Sequence, residues 1–529
     1  MEVLAPTDSH SISGSTSTPD PTLQKLVPCT DASATLINSL PNEILALIFK
    51  LAESAPFNVI LLPSVKAPFN LSQVSRLWRE IALNTPNLWT TICPTTSWMG
   101  STLLARSKSC LLDVEFLALS DYKYTGISSR LIDTYHILNH SMASLDIPSA
   151  LYQHVHRWHS VKLNRPNIDE STPFFRSPAP QLEIFHAESR RSWDPPVFAP
   201  NPGSVSYFNN HTPRLRDLSL TRVCVPLTSP MYTGLQKLQL DHIKFRDAPV
   251  SQLIRDLAAC PLLEVLRLRD IYFAPTGATP PIIAELHRLQ SMDLALTECD
   301  ARYLLASIQV SAELVLSVEM ECGEATLSIP RIDTSALKHL PNLARIHSLD
   351  VRYHGRARCC AFIGTSGPPS TAEILKMDYY HHPQAEAAQI SRTLSDLGLR
   401  LPLSSLEHLA FSWFTECGVD VAVFTGILEN LPTVISLALT DCPPSFVEAL
   451  YVGAGSHLCP LLKRLCLESD ESERLFEVVE SRVNAKRSVS RDGSAPLFQV
   501  TFRECESVDS ELVEKLLQLL VVVDWDESV

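Results

Sequence analysis

A short signature, apolar-x-x-apolar-x-apolar, recurs along the chain from about residue 97 onward and constrains the fold more than any other feature. It is seen at Trp158-x-x-Val161-x-Leu163, Leu182-x-x-Phe185, Leu215-x-x-Leu218-x-Leu220, Leu235-x-x-Leu238-x-Leu240, Leu263-x-x-Leu266-x-Leu268 and Leu289-x-x-Met292-x-Leu294. It returns at Leu406-x-x-Leu409-x-Phe411, Val434-x-x-Leu437-x-Leu439, Leu462-x-x-Leu465-x-Leu467 and Leu497-x-x-Val500-x-Phe502. Middle positions 161, 185, 218, 238, 266 and 292 are 24, 33, 20, 28 and 26 residues apart, and 409, 437 and 465 are 28 apart. Alternation of apolar and polar residues fits a strand with one buried face. Between the strands the period turns helical, as in 250–259 before Cys260-Pro261 and 421–430 before Leu431-Pro432. His347 to Val351 and Ile374 to Tyr379 read as degenerate copies, and near Leu316 the pattern is faint. A strand and a returning helix repeated at such intervals predict an α/β solenoid, a curved parallel sheet with outer helices. An ordinary α/β enzyme is the competing reading, but parallel strands buried on both faces are more continuously apolar than these.

Composition narrows the function. The 529 residues are 45% apolar, enough for a packed core, and carry 44 Lys and Arg against 58 Asp and Glu, a net charge of −14. Phosphate backbones are bound by clustered cations, so nucleic acid is not an expected partner. With 38 Pro and only 16 Gly the chain offers few positions where backbone approaches a phosphate closely, and neither GxGxxG nor GxxxxGK[ST] occurs. Met1 to His10 has no basic start and no apolar core segment, which predicts an intracellular protein, cytoplasmic or nuclear. Its 14 Cys are then expected as reduced, mostly buried thiols, none in a CxxC pair. The longest apolar run, Leu516 to Val523, contains Gln518 and falls far short of the roughly 20 residues of a membrane span.

Residues 1–35 are rich in Ser, Thr and Pro and read as a disordered tail. Order is expected from Leu40-Pro41-Asn42-Glu43, where Pro41 suits the first helical position and Glu43 complements the helix dipole. Ile44, Leu45, Ile48 and Leu51 follow at helical spacing. A second helix is expected from Asn70, with Gln73 in capping-box position and Leu71, Val74, Trp78 and Ile81 on one face, ending near Thr85 before Pro86. Helices this short cannot bury so much apolar surface alone, so part of it should meet a partner.

Three blocks in this region, Leu40-Pro-Asn-Glu-Ile-Leu-x-x-Ile-Phe49, Leu71-Ser-Gln-Val-Ser-Arg-Leu-Trp-Arg79 and Thr85-Pro-Asn-Leu-Trp89, resemble an F-box over about residues 36–92. The resemblance implies docking on the Skp adaptor of Skp-cullin-F-box ubiquitin ligases, and through it on a cullin. The residues implied in adaptor binding are Leu40, Pro41, Ile44, Leu45, Ile48, Phe49, Val74, Trp78 and Ile81. Ser75 stands where the family often has Cys, and the segment from Glu53 to Phe69 is longer than in compact F-boxes. Spacing of the strand signatures brackets the leucine-rich repeat range of about 20 to 29 residues. With the Arg157-Trp158-x-x-Val-x-Leu163 segment, the chain resembles fungal-type F-box proteins with irregular leucine-rich repeats over residues 97–529. The helix from Ser510 to Leu520 is expected to cap the stack through Val513, Leu516, Leu517 and Leu520.

Alternation in the strands places Asp217, Lys237, Gln239, Asp241, Arg267, Arg269, Asp293, His408 and Arg464 together on the concave face, the expected surface for an unknown target protein. Catalytic chemistry finds little support. His136, His140, His154, His156 and His159 allow a zinc site to be drawn, but no Cys stands at ligand spacing. Cys359-Cys360 beside Arg356 and Arg358 raises the idea of an activated thiol. Gly364-Thr-Ser-Gly367 lacks the spacing of a nucleophile elbow, and the acids from Glu468 to Glu473 read as a solvated loop. The expectation is a non-catalytic adaptor without cofactor or metal. A ligase-independent protein-interaction scaffold or sensor on the same arc is the alternative, and a hydrolase or metalloenzyme is a weaker third.

Overall fold

The computed structural model describes residues 37, 39–53, 67–92, 97–116, 149–164, 176–189, 197–198, 207–275, 282–321, 339–367, 372–381, 386–395, 397, 401, 403–453, 458–468, 474–489, 498–505, 508–519 and 521–525. The expected disordered tail lies outside them, as do His136, His140 and most of the acidic run after Glu468. The chain divides into two compact units, the first ending at Thr85 and the second beginning at Pro86.

The described residues of the first unit include the helices α1 (Asn42–Glu53), α2 (Ala67–Val74) and α3 (Arg76–Asn84), with α1 packed on both others. Glu43 in the first turn of α1 and Lys50 in its last complement the dipole. The expected single helix from Asn70 is broken in two. Asn70 lies inside α2, and Ser75 takes extended backbone and accepts the Trp78 N–H at 3.1 Å, capping α3. A serine oxygen free to satisfy an orphan amide favours a new helix start over a continuous helix. Thr85 closes α3, as the following proline requires.

Among the described residues of the second unit a sheet of 18 strands dominates. In chain order its strands begin with β1 (Thr91–Ile92), β2 (Leu112–Phe116), β3 (Trp158–Asn164), β4 (Ile184–Glu188), β5 (Val197–Phe198), β6 (Asp217–Thr221), β7 (Lys237–Pro249) and β8 (Val265–Ala274). Two short strands, β9 (Ala284–Leu286) and β11 (Ile308–Val310), pair separately. The main sheet continues with β10 (Ser291–Leu296), β12 (Val315–Glu321), β13 (Ser348–His354), β14 (Cys359–Thr365), β15 (Glu373–Tyr380) and β16 (His408–Ser412). It ends with β17 (Ser436–Thr440), β18 (Arg464–Glu468), β19 (Gln499–Arg503) and β20 (Val522–Trp525).

Register reproduces the spacing of the signatures. Leu218, Leu238, Leu266 and Met292 align on four adjacent strands, as do Leu409, Leu437, Leu465 and Val500 on another four, and all eight are buried. Helices Val250–Ala258, Glu298–Ala306, Glu386–Ser395, Val421–Glu429, Pro444–Glu448, Leu475–Val489 and Ser510–Gln518 alternate with strands and pack in sequence, except between the second and third. Leu253, Ile254 and Leu257 illustrate their buried faces.

Two expectations about the sheet are corrected. It is not parallel throughout: β14 is antiparallel to both β13 and β15, and β12 pairs with β15 while β13 pairs with β16. The turn between His354 and Cys359 is too short for a crossover of a dozen residues, so the chain must fold straight back. Gly364 in β14 fits because a Cβ there would meet Ile346 Cδ1 at 3.1 Å. The C-terminal helix is also not the end of the stack. It buries Leu516 but leaves Leu517 exposed, and β20 follows it as the last strand, parallel to β19.

Positions just past the aligned apolar segments, four of them beyond a strand end and two (His242 and Asp270) within β7 and β8, share a backbone feature that no glycine signals. Arg222, His242, Asp270, Trp413, Asp441 and Glu504, each just beyond an aligned strand position, have φ between 49° and 66°. Left-handed backbone costs a non-glycine residue of order 1 kcal/mol. Hydrogen bonds from Arg222 N to Asp241 O, Trp413 N to Thr440 O and Asp441 N to Glu468 O, at 2.8–2.9 Å, offset it by carrying the ladder one step past the strands.

Candidate functional site

Helix α1 is apolar on two sides. Leu45 and Phe49 are buried, and the Phe49 ring meets the Trp78 ring with centroids 4.9 Å apart. Ile44, Leu47, Ile48 and Leu51 form a second stripe at i, i+3, i+4 and i+7, exposed by 42, 58, 36 and 73%. In α2 and α3, Val74 and Leu77 are exposed as well. The expected adaptor-binding set is therefore split. Ile44, Ile48, Val74 and Pro41 face solvent and Leu40 and Trp78 are half-buried, whereas Leu45, Phe49 and Ile81 are buried and not available to a partner. Leu47, Leu51 and Leu77, outside the expected set, are exposed too; Leu51 already stands in the helical apolar period of the sequence, and Leu47 completes the i, i+3, i+4, i+7 stripe.

The third block of the F-box resemblance straddles the division between the units. Pro86–Trp89 forms a 3-10 turn at the start of the larger unit, with Leu88 and Trp89 buried and the Arg106 guanidinium 4.3 Å above the Trp89 ring. Arg157 of the Arg-Trp segment acts as an internal clamp. Its Nε and Nη2 donate to Cys110 O at 2.9 and 2.7 Å and Nη2 to Ser107 Oγ at 2.9 Å, while burial lowers its pKa.

All nine expected target-binding residues occupy the open side of the sheet, flanking buried positions. Gln239, Arg267 and Asp293 form one cross-strand row, Asp241 and Arg269 a second, Asp217 and Lys237 a third. His408 and Arg464 lie on β16 and β18 in a further row through Ser436. Several of these charges are spent on each other. Asp293 accepts from Arg269 Nε and Nη2 at 3.0 and 3.2 Å and pairs with Arg267 Nε at 3.1 Å, and Arg269 also reaches Glu319 at 3.7 Å. The Asp293 hydrogen bonds raise the pKa of Arg269. Lys162 pairs with Glu115, His186 with Asp217, Lys376 with Asp378 and Arg352 with Asp350, at 2.6–3.0 Å.

Histidines on this side are also paired rather than gathered. His159 lies between Asp113 at 3.2 Å and Glu183 at 3.6 Å, and His154 contacts Arg157. Among the described residues, ligand atoms converge at Asp241, His242 and Asp270, within 4.8 Å of one another. There the imidazole contacts both carboxylates, at 2.5 and 3.3 Å, an arrangement that serves as an ion pair by itself. Cys359 and Cys360 sit buried in β14, and burial pushes the Cys359 thiol up to about 12, the reverse of activation.

Residues 37–95 match the F-box-like family model. No curated protein matches the chain at a significant level. No helix among the described residues is long and apolar enough to cross a membrane. F-box domains, to which residues 37–95 are similar, are typically non-catalytic and generally bind the Skp adaptor.

Proposed function

We propose that the chain is the substrate-recognition subunit of a Skp-cullin-F-box ubiquitin ligase. The F-box-like unit docks on the Skp adaptor, and the open side of the repeat sheet recruits a target protein. One observation carries the reading: a helix inside the F-box-like match keeps a complete second apolar stripe, Ile44, Leu47, Ile48 and Leu51, in solvent. A short helix that already uses Leu45 and Phe49 for its own core gains nothing from such a stripe unless another chain covers it. Solenoid character is supported by the aligned apolar ladders and the recurrent left-handed positions just past them, which give successive strand and helix units one geometry.

The test is co-expression of the full chain with a Skp adaptor and cullin, followed by affinity capture and size exclusion. A stoichiometric complex is expected. Capture of neither partner by a folded chain would refute the ligase assignment and leave a scaffold acting without a ligase.

A further inference from the structure

We draw no further inference here: the strongest candidate, the Asp241–His242–Asp270 cluster on β7 and β8, is an acidic cluster whose imidazole already contacts both carboxylates, and no second observation among the described residues points to a bound ion.

Discussion

Replacing Leu47 and Leu51 together by Ala should abolish tight adaptor binding while leaving the fold intact. Their exposed fractions, 58 and 73%, together amount to a little over one fully exposed leucine. Covering that much aliphatic surface is worth about 2–3 kcal/mol. Since every 1.4 kcal/mol is tenfold, the dissociation constant should rise about 30- to 150-fold. Because both side chains already face water, the melting temperature should hardly move. Leu45→Ala provides the contrast, since it removes buried atoms and should cost about 2–5 kcal/mol of stability in the F-box-like unit. Titration calorimetry with purified Skp adaptor, beside thermal melts of each variant, separates the two effects. An unchanged dissociation constant for the folded double variant would show that the second stripe is not the docking face.

Three further outcomes follow from the larger unit. Arg157→Met should lower stability by about 1–3 kcal/mol by leaving Cys110 O and Ser107 Oγ without their donor, and chemical denaturation would detect it. Burial holds the Asp256 carboxyl up at about 7 against an ordinary 3.8, so the folded state keeps a proton the unfolded chain has lost, and this contribution to stability falls as pH rises from about 4 to 7. His381 acts oppositely: burial lowers it from 6.5 to about 4, and its contribution is lost as pH falls through that window. Asp256→Asn should therefore make stability rise more steeply with pH between 4 and 6.5, and His381→Leu less steeply; denaturation midpoints with parallel slopes would contradict both. Among the described cysteines, exposed Cys299 should react first with a thiol reagent, and Cys359 and Cys360 only on unfolding. Fast labelling of the β14 pair in native protein would remove the buried assignment.

Much was legible in the sequence because it depends on local periodicity. Leu218, Leu238, Leu266 and Met292 announced both the strand and its buried face, and the register places them side by side. The open-face positions of Arg267, Arg269 and Asp293 follow from the same alternation. The tertiary structure decided what depends on competition between groups far apart in the chain. Sequence spacing could not tell that Ser75 would cap a new helix, or that α1 would spend Leu45 and Phe49 on its own core and leave Leu47 and Leu51 outside. Nor could it place β15 against β12 and β13 against β16, since strand order is fixed by connection length and by which edge remains open. Whether a charge on the open side is paired or free depends on the neighbouring strand in register, tens of residues away. That is why Arg269 and Asp293, on neighbouring strands and 24 residues apart in the chain, neutralise each other.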